Sequence, residues 1–137
     1  MSVDPRRTPP PSIESQSYGL ELVLDLHDCD PTTFTRNSLD SFFTELCAHI
    51  DMEKCVVHFW DDVGVPEDEQ QTEPHTKGTS AVCFILTSSI VVHTLDLLRA
   101  VYVNIFSCKS FDPDTAADFA AGWFKGRTVK RAFLERT

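Results

Sequence analysis

The stretch Gly78–Cys108, GTSAVCFILTSSIVVHTLDLLRAVYVNIFSC, constrains this chain more than any other. It holds three short apolar runs, with polar side chains confined to a few places. Gly78, Thr79 and Ser80 open the first run, and Thr87, Ser88 and Ser89 separate it from the second. His93 and Thr94 close the second, and Ser107 and Cys108 close the third. Runs of this length bounded by small polar residues read as β-strands, and connections this short favour antiparallel pairing. Small hydroxyls, an imidazole and a thiol at strand ends can meet in one place, as a nucleophile, a base and a proton donor must.

The flanks supply the rest of one domain. From Tyr18, Leu20, Leu22, Leu24 and Leu26 alternate with Glu21, Val23 and Asp25, the period of a half-buried strand. Asp30 can cap a helix that starts at Pro31, since proline lacks the N–H that would be orphaned there. Leu39, Phe42, Phe43, Leu46, Cys47 and Ile50 then fall at helical spacing and form one apolar stripe. Cys55–Trp60 reads as a second strand, and Asp61–Thr76 as a loop with six carboxylates and no basic residue. That loop is a solvated excursion, or else a lid or a site for a cationic substrate. After the three runs, Asp112 and Pro113 start a second helix whose buried face is Ala116, Phe119, Ala120, Trp123 and Phe124, and Gly126 ends it. Residues 127–137, with Arg127, Lys130, Arg131 and Arg136, are a short edge strand or a basic tail. The expected class is therefore α+β: a largely antiparallel sheet with two helices on one face. Its bare face calls for a sheet-on-sheet dimer.

Composition narrows the function. A length of 137 residues suits one domain over 18–137, after a Pro- and Ser-rich tail over 1–17 expected to be disordered. A net charge of -9 argues against a nucleic-acid or anionic-membrane partner. No apolar run approaches the roughly 18–20 residues that cross a bilayer. Arg6 and Arg7 are followed by Pro9, Pro10 and Pro11 rather than an apolar signal region, so no secretion is implied. Five cysteines without a CxxC spacing read as reduced thiols in a cytoplasmic protein. His27, His58, His75 and His93 lack zinc-site spacing, and no metal is expected.

Several of these residues carry a family resemblance. Leu24-Asp25-Leu26-His27-Asp28-Cys29-Asp30 is similar to the first strand of the small, prokaryotic-type S-adenosylmethionine decarboxylases, which ends in Cys-Asp. That family has a Glu-Ser-His cleavage site, then three residues, then His-Thr, and later an aromatic-Thr-Cys-Gly. Without a gap, this chain has Thr87-Ser88-Ser89, then Ile90-Val91-Val92, His93-Thr94, and Phe106-Ser107-Cys108-Lys109. Ser80 also falls where the family keeps a serine. The resemblance covers roughly Tyr18–Lys125 and implies a self-processing enzyme of polyamine (spermidine) synthesis. In it Ser88 attacks the Thr87 carbonyl and becomes a covalent pyruvoyl group. His93 is the base that takes the Ser88 α-proton, and Ser80 bonds the oxyanion. The pyruvoyl ketone condenses with the α-amine of a small amine-bearing substrate and takes up the electrons left when CO₂ departs. Cys108 reprotonates the carbon. The active form would be a homodimer of cleaved protomers.

The chain departs from the pattern at named places. Thr87 replaces the family's Glu and Ser89 its His; Leu95-Asp96-Leu97 stands where Trp-Pro-Glu is usual; Asn104 takes an acidic place; Lys109 replaces Gly. Two other readings arise from these changes. One is a pyruvoyl-dependent decarboxylase of another amino acid, ornithine or arginine. The other is a non-cleaving homologue that serves as a binding or regulatory subunit.

Overall fold

The computed structural model describes residues 17–137; the expected tail, Ser17 apart, lies outside the described residues. In β1 (Gly19–His27), Leu22, Leu24 and Leu26 are fully buried, while Val23 and Asp25 between them face the other way. The chain then forms two elements rather than the single helix expected from Pro31. Asp30 caps only a 3-10 turn, Pro31–Phe34, by accepting from the Thr32 N–H. Thr35 sits at extended backbone angles and caps α1 (Arg36–His49), its hydroxyl accepting from the Ser38 N–H. An extended cap residue breaks the run of helical angles, so the first turn cannot continue into the second.

α1 buries Leu39, Phe42, Phe43, Leu46 and Cys47, the expected stripe. α2 (Pro113–Phe124) starts at its Asp112 cap and buries Ala116, Ala117, Ala120 and Phe124, with Phe119 and Trp123 only partly covered at the rim. The two helices meet at Phe42 and Phe124, with ring centroids 4.8 Å apart. The left-handed residue that ends α2 is Lys125, at φ 53°, not Gly126. Gly126 is required for a different reason: a methyl there would run into the Cys29 sulfur.

The remaining strands are β2 (Lys54–Trp60), β3 (Gly78–Ile85), β4 (Ser88–Leu95), β5 (Ala100–Ser107) and β6 (Arg127–Arg136). They form one antiparallel sheet in the order β2-β3-β4-β5-β1-β6. The C-terminal segment is thus an edge strand paired with β1. Its Arg127, Arg131 and Arg136 bond Asp28, Asp114 and Glu21. The acidic loop after β2 is anchored at its start, where the Arg36 guanidinium grips Asp61 with two bonds of 2.7 Å. That fork holds the Asp61 carboxyl below the usual carboxylate range.

Both helices pack on the face that carries Leu22, Leu24, Cys83, Ile90, Val92 and Ile105, so the α+β, two-layer arrangement holds. The opposite face carries Val82, Phe84, Val91, Tyr102 and Phe106, and Phe84 remains 46% exposed. Among the described residues no helix is long and apolar enough to cross a membrane.

Candidate active site

Ile85 pairs with Ser88, so the turn between β3 and β4 contains only Leu86 and Thr87. A two-residue hairpin connection needs positive φ at one or both of its central positions. Here the burden falls on Thr87, at φ 50°. For a β-branched residue this is a true outlier, costing on the order of 1–3 kcal/mol, and it persists because the paired strands leave no alternative. The strain lies immediately before Ser88, at the peptide bond singled out by the sequence.

Cys108, just past the end of β5, closes on this turn. Its N–H donates to the Ser88 hydroxyl oxygen at 2.9 Å, and its sulfur lies 3.3 Å from the Thr87 hydroxyl. Ser88 is only 7% exposed. The Thr87 hydroxyl, with that of Ser88 after it, stabilises the thiolate and holds the Cys108 thiol below the ordinary cysteine value. Cys29 goes the other way: burial, with the Asp28 charge after it, pushes its thiol up to about 11. Three contacts fix the segment that carries Cys108. The Lys109 N–H donates to the Ser107 hydroxyl at 3.0 Å, and that hydroxyl donates back to the Lys109 carbonyl at 2.7 Å. The Lys109 ammonium reaches Asp51 at 2.7 Å and 2.9 Å. Gly19 on β1 leaves room for the Ser107–Cys108 backbone, which any larger residue would displace.

Ser80 and His93 form a second cluster. They are cross-strand partners on β3 and β4, with the hydroxyl 2.7 Å from Nδ1. They border a hollow of about 420 Å³ with Trp60, Leu95 and Tyr102, closed on one side by His75 and Thr76 from the end of the acidic loop. Ser88 and His93 lie on one strand, so five steps of roughly 3.3 Å put them about 16 Å apart. An odd step also turns their side chains to opposite faces. The expectation that all four residues meet is therefore corrected for a single chain. The structure brings Ser88 to Cys108 and Ser80 to His93, and holds the two pairs at opposite ends of β4.

Sequence reasoning missed Thr87 as the strained residue, although a two-residue turn lacking glycine is a legible signal. It also missed the amide of Cys108, because a backbone donor leaves no mark in composition. The Asp51–Lys109 clamp was equally hidden, since its members stand far apart in the chain. Within the altered Leu95-Asp96-Leu97 segment, burial pushes the Asp96 carboxyl upward, against the opposing charge of Lys77 and with a smaller push from Asp62.

Over residues 20–137 the chain matches the family model described as S-adenosylmethionine decarboxylase. No curated protein matches it. Among solved structures it is similar to the adenosylmethionine decarboxylase from Aquifex aeolicus, at 18% identity and a TM-score of 0.67. That likeness covers 88% of this chain and 91% of the other, and at this identity it is a likeness of fold. The matched span includes the strained turn and both residue pairs, and the chain belongs to the S-adenosylmethionine decarboxylase family.

Proposed function

We propose that this chain cuts itself between Thr87 and Ser88 and then decarboxylates S-adenosylmethionine in the cytoplasm, supplying polyamine synthesis. The observation that carries the reading is the left-handed Thr87 beside a Ser88 hydroxyl bonded by the Cys108 amide. Attack of Ser88 Oγ on the Thr87 carbonyl replaces the strained amide by an ester, so turn strain favours the forward step. Loss of the Ser88 α-proton then expels the carboxylate of chain 1–87, and hydrolysis leaves a pyruvoyl group on chain 88–137. When formed, that group supplies a ketone that accepts the electrons released with CO₂. Cys108, already at the turn, is placed to return a proton to the substrate carbon. Five free thiols among the described residues fit a reducing compartment.

His93 cannot reach the Ser88 of its own chain, and this favours a homodimer packed through the bare sheet face. A two-fold axis crossing β4 near Val91 would lay the His93 end of each copy over the Ser88 end of its partner. Sheets stacked face to face lie about 10 Å apart, so an imidazole on the bare face can approach the partner's backbone at Ser88, whose hydroxyl turns to the covered face. Ser80 would then steady the imidazole and bond the oxyanion.

Intact mass of the purified protein tests the reading. Two chains, 1–87 and a pyruvoyl-ended 88–137, are expected; the second should react with phenylhydrazine, and Ser88→Ala should stay whole. A single unreactive full-length species would leave the non-cleaving homologue. The altered 95–97 segment makes the substrate a separate question. Release of labelled CO₂ from S-adenosylmethionine, and not from ornithine or arginine, is the expected result.

A further inference from the structure

Self-cleavage has to begin by removing a proton from the Ser88 hydroxyl. Within one chain His93 and Ser80 lie at the far end of β4, and threonine stands at the position where a carboxylate could have served. The titratable groups around the turn are Asp51, Glu53 and Lys109 on one side and Cys55 on the other. Asp51 is tied to Lys109, and no hydrogen bond joins Glu53 or Cys55 to Ser88 or Thr87. Among the described residues of one chain, Cys108 is the titratable group hydrogen-bonded to the reacting residues. Its N–H donates to Ser88 Oγ at 2.9 Å, so the hydroxyl proton must point elsewhere. Its sulfur lies against the Thr87 hydroxyl at 3.3 Å and the Leu86 carbonyl at 3.7 Å.

We propose that Cys108 is the general base that starts self-cleavage, a role that precedes its part in decarboxylation and rests on the cleavage reading above. The thiolate sulfur takes the Ser88 hydroxyl proton as Oγ bonds to the Thr87 carbonyl carbon, and the carbonyl electrons move to oxygen. On collapse the bond from that carbon to the Ser88 nitrogen breaks. The thiol gives its proton to the departing amine, so the sulfur ends as it began and no outside reactant is consumed. The Thr87 hydroxyl stabilises the thiolate form, which is consistent with this role. The tether from Lys109 to Asp51 and the space left by Gly19 keep the sulfur at the turn.

The test uses the full chain recovered whole in denaturant and folded by dilution. Hydroxylamine cuts the ester but not the amide, and intact mass reads a serine-ended 88–137 chain. His93→Ala, which forms the ester but lacks the next base, should be cut by hydroxylamine. Cys108→Ala and Cys108→Ser should stay whole with or without hydroxylamine, with ester formation slower by about 10²–10⁴-fold. In the otherwise native chain the rate should climb with pH to a plateau, its midpoint below the roughly 8.5 of a free cysteine. Hydroxylamine cutting of folded Cys108→Ala within ten-fold of the native rate would sink the proposal. So would a native rate flat between about pH 6 and 9, a result that does not depend on the variants folding. A native chain that neither splits nor yields to hydroxylamine sinks the cleavage reading itself, which is a different outcome.

Discussion

Thr87 acts twice at one position. Its backbone is forced left-handed by the two-residue turn, and its side chain bonds the Cys108 sulfur. The second effect is measurable apart from cleavage, in a Ser88→Ala chain that cannot be cut. A bond donated to a thiolate stabilises the anion, so its loss must raise the thiol pKa. Alkylation of Cys108 should therefore rise with pH through a midpoint below that of an ordinary cysteine. Adding Thr87→Val, which keeps the β-branch and drops the hydroxyl, should move that midpoint upward. An unmoved midpoint would mean that Thr87 does not touch the sulfur in solution. Cys29, buried and pushed to about 11, should stay unlabelled over the same range. Sequence alone marked Ser88, His93, Ser80 and Cys108 as reactive, because hydroxyls, imidazole and thiol are scarce among apolar runs. It did not reveal who meets whom. Yet the spacing of 88 and 93 is odd, and a strict period of two already turns them to opposite faces.

The elements most legible in the sequence are those with a strong period. β1 and the helical stripe of α1 follow theirs residue by residue, because each buries one face against the same core. The start of α1 was not legible, since Asp30 with Pro31 is as good a cap signal as Thr35. β6 carries no period at all: its ten residues are all exposed, and pairing with β1 rather than burial makes it a strand. The acidic loop shows where local charge matters. Asp61 is paired by Arg36 and titrates below an ordinary carboxyl, so it binds its proton less readily folded than unfolded. Stability from this fork is then fully present above about pH 4, the unfolded value, and fades as pH falls through the folded one. Asp61→Asn should lower the melting temperature at pH 7, and the gap should narrow as pH falls below about 4 and the native carboxylate takes up its proton. A gap that persists in acid would assign the loss to packing or to the Val63 N–H bond instead.

At the scale of the whole molecule, one sheet has a covered face and a bare one, and the candidate chemistry is divided between the two ends of β4, with Ser88 turned to the covered face and His93 to the bare one. An enzyme that needs both pairs at one place has to bring two copies together. The arrangement makes an asymmetric prediction. A Ser88→Ala copy has no nucleophile but keeps its Ser80–His93 pair, whereas a His93→Ala copy keeps its nucleophile and lacks the base. Alone, neither should yield a pyruvoyl-ended chain. In a mixed dimer, the Ser88 of the His93→Ala copy faces the intact His93 of its partner, so one site of the two is complete. When the two are co-expressed with distinguishable masses, only the His93→Ala polypeptide should appear as pyruvoyl-ended 88–137. The Ser88→Ala polypeptide should stay whole. If His93 served its own chain, mixing would restore nothing, and the roughly 16 Å gap along β4 would have to close by movement within one copy. A charge placed on the bare face gives the complementary result. Val91→Glu lies beside the proposed axis, where two like charges would meet, and it should leave the protein monomeric and uncut. A folded Val91→Glu monomer that still forms the pyruvoyl end would show that one copy suffices.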